Sequence, residues 1–174
     1  AIAYSALKNK TGATTIPIRL GEINKETEYV LEHFNVEKPR LQTNISGESV
    51  ILVDHNERTQ TADGFEEAKI LELVDHHRIS NFHTDEPLKV RMDIVGCTST
   101  LVFELYKEAG LVPEKNIAGL MLSAIVSDTL LFKSPTCTDR DVAAAKELAV
   151  ISEADLEKYG IDMLIAGTNL DDKT

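Results

Sequence analysis

The sequence contains no tryptophan, and aromatic residues make up only 5% of its 174 positions. A hydrophobic core must therefore be built mainly from Val, Ile, Leu and Ala. These residues are available, because 43% of the chain is hydrophobic. A chain of this length and composition is typical of one globular domain that buries a sizeable core.

Cysteine and long apolar runs are also scarce. Cys97 and Cys137 are the only cysteines, and they form no CxxC pair, which argues against a disulfide framework and a zinc ribbon. We therefore expect a cytoplasmic protein. The longest apolar run, at 117–126, includes Ser123 and is too short to span a bilayer, so we expect no membrane partner.

Positive charge is in short supply as well. The chain has 18 Lys and Arg residues against 29 Asp and Glu residues, which gives a formal net charge of −11. A broad nucleic-acid-binding face needs clustered Lys and Arg, so we expect no nucleic-acid partner. The acidic balance is compatible with binding divalent cations, although most acidic side chains on any chain are merely solvated.

The hydrophobic pattern predicts an α/β fold. Near-continuous aliphatic strands alternate with helical segments, which indicates a mainly parallel, Rossmann-like sheet flanked by helices. Apolar and polar residues alternate over 87–94, so this segment is expected to be a half-exposed edge strand. Strands are predicted at 14–20, 50–53, 71–74 and 87–94, helices at 1–10, 23–36, 99–110, 113–132, 138–152 and 153–170, and a short helix or turn at 64–70.

Two helix starts carry recognisable capping residues. Asn24 is placed to cap the helix over 23–36, because Asn is favoured at that position. Thr138, with Asp141 three residues later, is expected to form a capping box for the helix over 138–152.

Two of the predicted strands end in similar polar residues. ILVDHNER, at 51–58, brings Asp54 and His55 to a strand end, and LELVDHHRISN, at 71–81, does the same for Asp75, His76 and His77. Sites in open α/β sheets form beyond the carboxyl ends of strands, so these side chains converge if the strands are neighbours. For either motif alone, an Asp that caps the following turn is the ordinary alternative.

The residue types at these ends suit a divalent metal ion. Carboxylate and imidazole ligands without thiolate are typical of sites for Mn²⁺, Fe²⁺, Co²⁺ or Zn²⁺. A carboxylate can bridge two such ions, which would then activate water and polarise a phosphoryl oxygen. The tandem histidines could divide these tasks, because adjacent side chains leave a strand end in different directions.

Asp128 is a third candidate, near the end of the apolar helix predicted over 113–132. A carboxylate in apolar surroundings is costly unless it is paired, protonated or bound to metal. The alternative is a core aspartate that is hydrogen-bonded to the backbone or to Ser127. The other polar residues considered have ordinary interpretations: Thr98 as a helix cap, Cys97 as a small core residue, and His33 and His83 as structural residues.

Five segments together resemble the manganese-dependent inorganic pyrophosphatases, which are family II of these enzymes and belong to the DHH phosphoesterase superfamily. The resemblance runs over essentially the whole chain. The Asp-His-His triplet alone indicates only the superfamily, whereas the first and fourth segments are more specific. The segments are VDHN (53–56), VDHHR (74–78), VGCT (95–98), AGLMLSAIVSDTLLFKSPT (118–136) and YGIDMLIAGTNL (159–170).

The resemblance implies a role for each site residue. Asp54 would bridge two Mn²⁺ ions, with Co²⁺ or Mg²⁺ as possible substitutes, and His76 and Asp128 would ligate one of them. His77 would contact the substrate, while Asp75 and His55 would support the site. The implied reaction is attack of a metal-bridging water or hydroxide on pyrophosphate to give two phosphates. The implied assembly is a homodimer.

The chain also departs from the family pattern. The family begins with a strand and a His-x-x-x-Asp-x-Asp motif that supplies further metal ligands, whereas this sequence opens on the helix predicted at 1–10. We therefore expect residues 1–170 to be the metal-binding catalytic domain without its first strand. Residues 171–174 would begin a linker to a C-terminal domain that clamps pyrophosphate. By itself the chain is expected to be inactive or nearly so.

Two other functions stay open at this point. One is a phosphodiesterase of the same superfamily that acts on short oligonucleotides or cyclic dinucleotides. The other is a non-catalytic metal-binding or dimerising fragment. The joint presence of Asp54, His76, His77 and Asp128 favours descent from an active enzyme.

Overall fold

The computed structural model of the chain describes residues 1–168. It contains six α-helices and five strands within that range, and the linker predicted at 171–174 lies outside the described residues. The helices are α1 (Ile2–Lys10), α2 (Lys25–His33), α3 (Thr98–Glu108), α4 (Lys115–Thr129), α5 (Asp139–Ser152) and α6 (Leu156–Thr168). The strands are β1 (Ile18–Arg19), β2 (Arg40–Leu41), β3 (Ser49–Val53), β4 (Lys69–Asp75) and β5 (Lys89–Met92).

The predicted α/β fold is confirmed. Strands β3, β4 and β5 form a parallel sheet in that order, and β1 pairs with β2 in a separate parallel pair. Within residues 1–168, β5 pairs only with β4, as the prediction of an edge strand at 87–94 requires. Strand β4 is also paired on both sides, which suits its aliphatic sequence.

The two faces of the sheet are covered differently. Val74 of β4 packs into a core formed with buried residues of the α-helices, whereas Leu52 and Leu73 point to the other face. That second face is covered by Phe65 and Phe82 from connecting segments rather than by an α-helix. The expectation of a sheet flanked by helices therefore holds for the larger core, on one face.

Both predicted caps are present. The side chain of Asn24 accepts a hydrogen bond from the Thr27 amide at the start of α2. Thr138 and Asp141 form a complete capping box at the start of α5. These interactions satisfy amides that a helix leaves unpaired at its first turn.

Some predicted boundaries were too long. The strand expected over 14–20 shrinks to Ile18–Arg19, because Pro17 has no amide to donate and Ile16 is exposed. The helix expected over 113–132 ends at Thr129, and residues 130–132 all adopt left-handed backbone angles. Phe65–Glu67 form a short 3-10 helix, within the segment predicted as a short helix or turn. None of the helices within residues 1–168 is both long and apolar enough to cross a membrane.

Candidate metal centre

The carboxyl ends of β3 and β4 bring the two Asp-His motifs together. The strands are parallel neighbours, with Val53 opposite Val74, so Asp54 and Asp75 follow at the same edge of the sheet. The pairing extends one residue further, because the Asp54 amide donates to the Val74 carbonyl at 2.9 Å. The convergence that the sequence predicted for these strand ends is therefore present.

Asp54, His76 and His77 form a cluster of possible metal ligands. One donor atom from each residue lies within 4.8 Å of the other two. Asp54 Oδ1 is 3.5 Å from His76 Nε2 and 3.8 Å from His77 Nδ1. Donor atoms that share one ion through bonds of about 2.0–2.2 Å lie within about 4.4 Å of each other, so the separation between Asp54 Oδ1 and His76 Nε2 fits a shared ion.

His76 is oriented by the chain that follows β5. Its Nδ1 lies 2.8 Å from the Val95 carbonyl oxygen. A carbonyl can only accept, so Nδ1 carries a proton, and Nε2 is the ring nitrogen that faces Asp54. The hydrogen bond to Asp54 raises the pKa of His76 above its ordinary value, against the opposing effect of burial. This is the arrangement found for metal-binding histidines, whose second nitrogen is held by a neighbouring oxygen.

Asp54 has an unusual backbone and a specific hydrogen-bond donor. Its φ angle is 68°, in the left-handed region that non-glycine residues seldom adopt. The Thr98 hydroxyl donates to Asp54 Oδ1 at 2.8 Å. Burial alone would raise the pKa of Asp54, but the hydrogen bonds from His76 and Thr98 and the nearby His77 lower it. The carboxyl group is therefore held in its anionic form, as a metal ligand requires.

The expectation that Thr98 caps a helix was wrong. Cys97 occupies the cap position of α3, without a side-chain capping bond, and Thr98 is the first helical residue. Thr98 is instead free to turn its hydroxyl toward Asp54. Cys97 is buried in the main core, as expected.

Asp75 is fully buried and organises the histidine pair. Its Oδ1 accepts hydrogen bonds from the amides of His76 and His77 and from His77 Nδ1, which lies 2.7 Å away. Its Oδ2 accepts from the Asn56 side chain at 2.8 Å. Because Nδ1 of His77 donates to Asp75, Nε2 of His77 is left free to meet a substrate. Asp75 is placed for the supporting role that the sequence reading gave it.

Asn56 is a site residue that sequence reasoning missed. It is 1% exposed, and besides Asp75 it bonds the Arg78 carbonyl and the Ser80 amide. The loop after β4 is thus tied to the loop after β3. Its signals in the sequence were its place directly after Asp54 and His55 and its presence in the VDHN segment, and neither revealed its burial.

Asp128 lies close to the cluster but differs from the expectation. The sequence predicted apolar surroundings for Asp128, yet this residue is exposed in the last turn of α4. The pKa of its carboxyl group is raised above the ordinary value. Partial burial and the charge of Asp54 raise it, and they outweigh the lowering by a hydrogen bond from the Cys97 thiol and by the nearby His76 and His77. Among the described residues, it is outside the group of three whose donor atoms lie within 4.8 Å.

The remaining histidines sit in different environments. His55 Nδ1 donates to the Val53 carbonyl at 3.1 Å, and His55 and His77 border a cavity of about 350 Å³ beside the cluster. His33 packs against aromatic rings, including Tyr159. His83 contacts Arg58 on the surface. His33 and His83 therefore lie in the ordinary structural settings that were expected for them.

The family is identified by comparison with known proteins. The family description "DHH family, N-terminal domain" matches residues 1–125, and the chain belongs to this family. The "probable manganese-dependent inorganic pyrophosphatase" of Bacillus licheniformis is 58% identical over 176 residues, across 100% of this chain and 57% of its own length. The manganese-dependent inorganic pyrophosphatase of Bacillus subtilis shows the same identity and the same coverage.

A solved structure agrees with the sequence relatives. A Methanococcus jannaschii protein assigned to the family II inorganic pyrophosphatases superposes with a TM-score of 0.88 at 40% sequence identity. The match covers 95% of this chain and 56% of that chain. The resemblance drawn from the sequence motifs is confirmed, and the chain spans somewhat more than half the length of these relatives.

Proposed function

We propose that this chain provides the metal-binding part of an enzyme that hydrolyses inorganic pyrophosphate to two phosphates. The observation that carries the proposal is the high identity, 54–58% over the whole chain, to relatives named manganese-dependent inorganic pyrophosphatases. The cluster of Asp54, His76 and His77 supports it independently, because its donor atoms suit a divalent ion such as Mn²⁺.

The proposal gives each residue of the site a distinct task. Asp54 and His76 would hold metal through Oδ1 and Nε2, the two atoms that face each other at 3.5 Å. Asp128 would join them as a ligand from the end of α4. His77, fixed at Nδ1 by Asp75, would donate or accept a hydrogen bond at Nε2 toward the phosphoryl oxygens. Bound divalent ions would polarise a phosphoryl oxygen and lower the pKa of an attacking water.

The whole enzyme would use two Mn²⁺ ions per site, with Co²⁺ or Mg²⁺ as possible substitutes. The three assigned ligands, Asp54, His76 and Asp128, are few for two ions, so we propose that the whole enzyme supplies further ligands from outside the described residues. Residues 1–170 would then form most of one catalytic domain, and a second domain would complete the substrate site.

The test is phosphate release from pyrophosphate in the presence of Mn²⁺. The 174-residue chain is compared with a protein in which segments at both ends complete the length of the relatives. We expect rapid release by the longer protein and little by the shorter one, because lost ligands and lost positioning act together. Absence of release by both would overturn the proposal.

The same preparations separate the other functions. Hydrolysis of a dinucleotide or cyclic dinucleotide by the longer protein, without pyrophosphate hydrolysis, would assign the site to a phosphodiesterase. Binding of Mn²⁺ without turnover of either substrate would leave a non-catalytic metal-binding module.

We also propose that the protein is a cytoplasmic homodimer. Both cysteines are free, as in a reducing compartment. Strand β5 leaves one edge without a partner strand among the described residues, and Val90 on it is 49% exposed. Such an edge can pair with a second copy. Gel filtration should give a dimer for the wild-type chain and a monomer for Val90→Lys, while a wild-type monomer would contradict the assembly.

A further inference from the structure

Residues 95–98, where the segment after β5 enters α3, make two separate contacts with the candidate metal ligands. The Val95 carbonyl accepts the proton of His76 Nδ1 at 2.8 Å. The Thr98 hydroxyl donates to Asp54 Oδ1 at 2.8 Å. One short segment therefore controls the orientation of a ligand from β3 and of a ligand from β4.

The contact from Thr98 falls on an atom with little other restraint. The Asp54 side chain is 53% exposed, and its backbone adopts a left-handed φ of 68°. Among described residues, its Oδ1 is the oxygen that faces both histidines, at 3.5 and 3.8 Å. Without a fixed donor, this carboxylate could rotate away from the histidines toward water. Thr98 is 3% exposed and belongs to the first turn of α3, so its hydroxyl cannot follow such a rotation.

The segment that carries Thr98 is itself held by a buried carboxylate from α5. Asp141 is 0% exposed. Its Oδ2 accepts from the Gly96 amide at 2.8 Å, and its Oδ1 accepts from the Thr100 hydroxyl at 2.6 Å. The Thr138 amide and hydroxyl each donate to Oδ2 at 2.8 Å. The carboxylate thus joins the start of α5 to both sides of Thr98.

Close packing at Gly96 also restricts the segment. A Cβ atom at this position would lie 2.9 Å from Asp141 Oδ2 and 3.0 Å from Thr129 Cγ2. Neither neighbour can move easily, because both residues are fully buried. The turn is therefore seated against α4 and α5, and the hydroxyl of Thr98 is presented from a rigid support.

We propose that Thr98 is a positioning residue of the metal centre, which orients Asp54 for metal binding, and that Asp141 holds Thr98 in place from α5. The inference rests on the proposed function in one respect, since it takes Asp54 as a metal ligand. Outer residues that orient a metal ligand by hydrogen bonding typically change metal affinity ten- to a hundredfold when they are lost. An ordinary buried hydrogen bond would affect stability alone.

The experiment measures Mn²⁺ binding and unfolding for a graded series at position 98 in the longer protein, in which segments at both ends complete the length of the relatives. Thr98→Val removes the hydroxyl and keeps the shape, Thr98→Cys retains a weak donor, and Thr98→Ser retains the hydroxyl. Free Mn²⁺ is followed by its electron paramagnetic resonance signal, and folding by the urea midpoint. Ser123→Ala is the matched control, because Ser123 is also 3% exposed and its hydroxyl bonds only Gly119 and Tyr159.

We expect Thr98→Val to weaken Mn²⁺ binding by about ten- to a hundredfold. Thr98→Cys should lie between this variant and the wild type, and Thr98→Ser should bind within about threefold of the wild type, since donor strength sets the order. Ser123→Ala should lower the urea midpoint and leave Mn²⁺ affinity unchanged. The series also covers the case in which Thr98→Val does not fold, because the Cys and Ser variants still report the order.

Two results would overturn the inference in distinguishable ways. Wild-type Mn²⁺ affinity in folded Thr98→Val or Thr98→Cys would refute the positioning role alone, as would an equal loss of affinity in Ser123→Ala. Absence of Mn²⁺ binding by the wild-type longer protein would refute both the positioning role and the metal site on which it depends.

Discussion

Asp54 combines an uncommon backbone conformation with a central place in the site. A non-glycine residue in the left-handed region costs on the order of 1 kcal/mol or more, and such residues persist where their surroundings impose them. Here the surroundings are the pairing of the Asp54 amide with β4 and the hydrogen bond from Thr98. The conformation directs the carboxylate back over the end of β4 instead of out along the strand.

The neighbouring histidines should respond differently to substitution. His76→Ala should abolish Mn²⁺ binding in the cluster, because Nε2 of His76 is the atom that faces Asp54. His77→Ala should retain Mn²⁺ and lower the rate of pyrophosphate hydrolysis by about a hundredfold or more, in the range usual for loss of a positioned proton donor or acceptor.

Metal titration of both variants, together with phosphate release from the longer protein, checks this assignment. The matched pair serves as its own control, since the side chains removed are identical. Loss of Mn²⁺ binding in His77→Ala, with binding retained in His76→Ala, would reverse the two roles.

The candidate ligands and the substrate-facing histidine could be predicted from the sequence, whereas the residues that hold them in place could not. Asp54, His76 and His77 stand at the ends of aliphatic strands, so chain pattern alone brings them to one sheet edge. The roles of Thr98 and Asn56 depend on contacts between residues 19 to 44 positions apart. No local pattern encodes such distances, and Thr98 therefore looked like a helix cap.

At the scale of elements, α4 is the central helix of the larger core. Its buried residues contact α5, α3 and α1, and its apolar sequence all round predicted this position. The sequence did not predict where it stops, because Leu130, Leu131 and Phe132 are ordinary helix-compatible residues with left-handed backbone angles here. Nothing in the local sequence explains why three non-glycine residues in succession adopt positive φ angles.

The contact between α4 and α2 leaves no space for a larger residue at Gly119. A Cβ atom there would lie 2.3 Å from the ring of Phe34, which ends α2. Gly119→Ala should therefore lower the free energy of unfolding by about 1–3 kcal/mol, as overpacking does, even though Ala is the better helix former. Urea unfolding measures the change.

Gly167→Ala in α6 provides the control for that variant. A new Cβ there would lie 3.0 Å from Glu26 Oε2 and 3.1 Å from Glu26 Cβ, which is much less crowded than the 2.3 Å approach at Gly119. We expect unfolding free energy to stay within about 0.5 kcal/mol of the wild type or to rise. An equal loss in both variants would show that the Phe34 contact is not the cause.

At the scale of the whole molecule, α1 is attached to the sheet by a buried polar group. Glu72 of β4 accepts hydrogen bonds from Tyr4 and Lys8, and the Lys8 ammonium lies 2.6 Å from its carboxylate. Burial would raise the pKa of Glu72, but these hydrogen bonds and the charges of Lys8 and Lys89 lower it below the ordinary value of 4.5. The carboxylate is therefore charged in the folded chain.

This arrangement makes stability depend on pH in a definite direction. A carboxyl group with a lowered pKa stabilises the folded state above its unfolded pKa, and the contribution is lost as pH falls through the folded pKa. Glu72→Gln should be less stable than the wild type by about 1–3 kcal/mol at pH 7. The difference should shrink progressively as pH falls below about 4.5, where the carboxyl group takes up its proton in the unfolded chain before it does so in the folded chain.

Urea midpoints of both proteins at pH 7, 5 and 4 provide the measurement. The Glu86→Gln variant is a suitable control, because Glu86 forms only an exposed ion pair with Lys69 and should cost little at any of these pH values. A constant difference between wild type and Glu72→Gln across the series would contradict the role of this carboxylate.

The buried pair of Asp75 and Asn56 has a kinetic consequence for the loop after β4. In this loop, the amides of His76 and His77 donate to the Asp75 side chain, and the amide of Ser80 donates to the Asn56 side chain. The His77 side chain is nevertheless exposed. Solvent can exchange their protons only when the pair opens, so deuterium uptake there should be slow for a surface loop. In Asn56→Ala, uptake at Ser80 should become fast. A loop that carries two candidate site residues would thus exchange like the interior of the sheet.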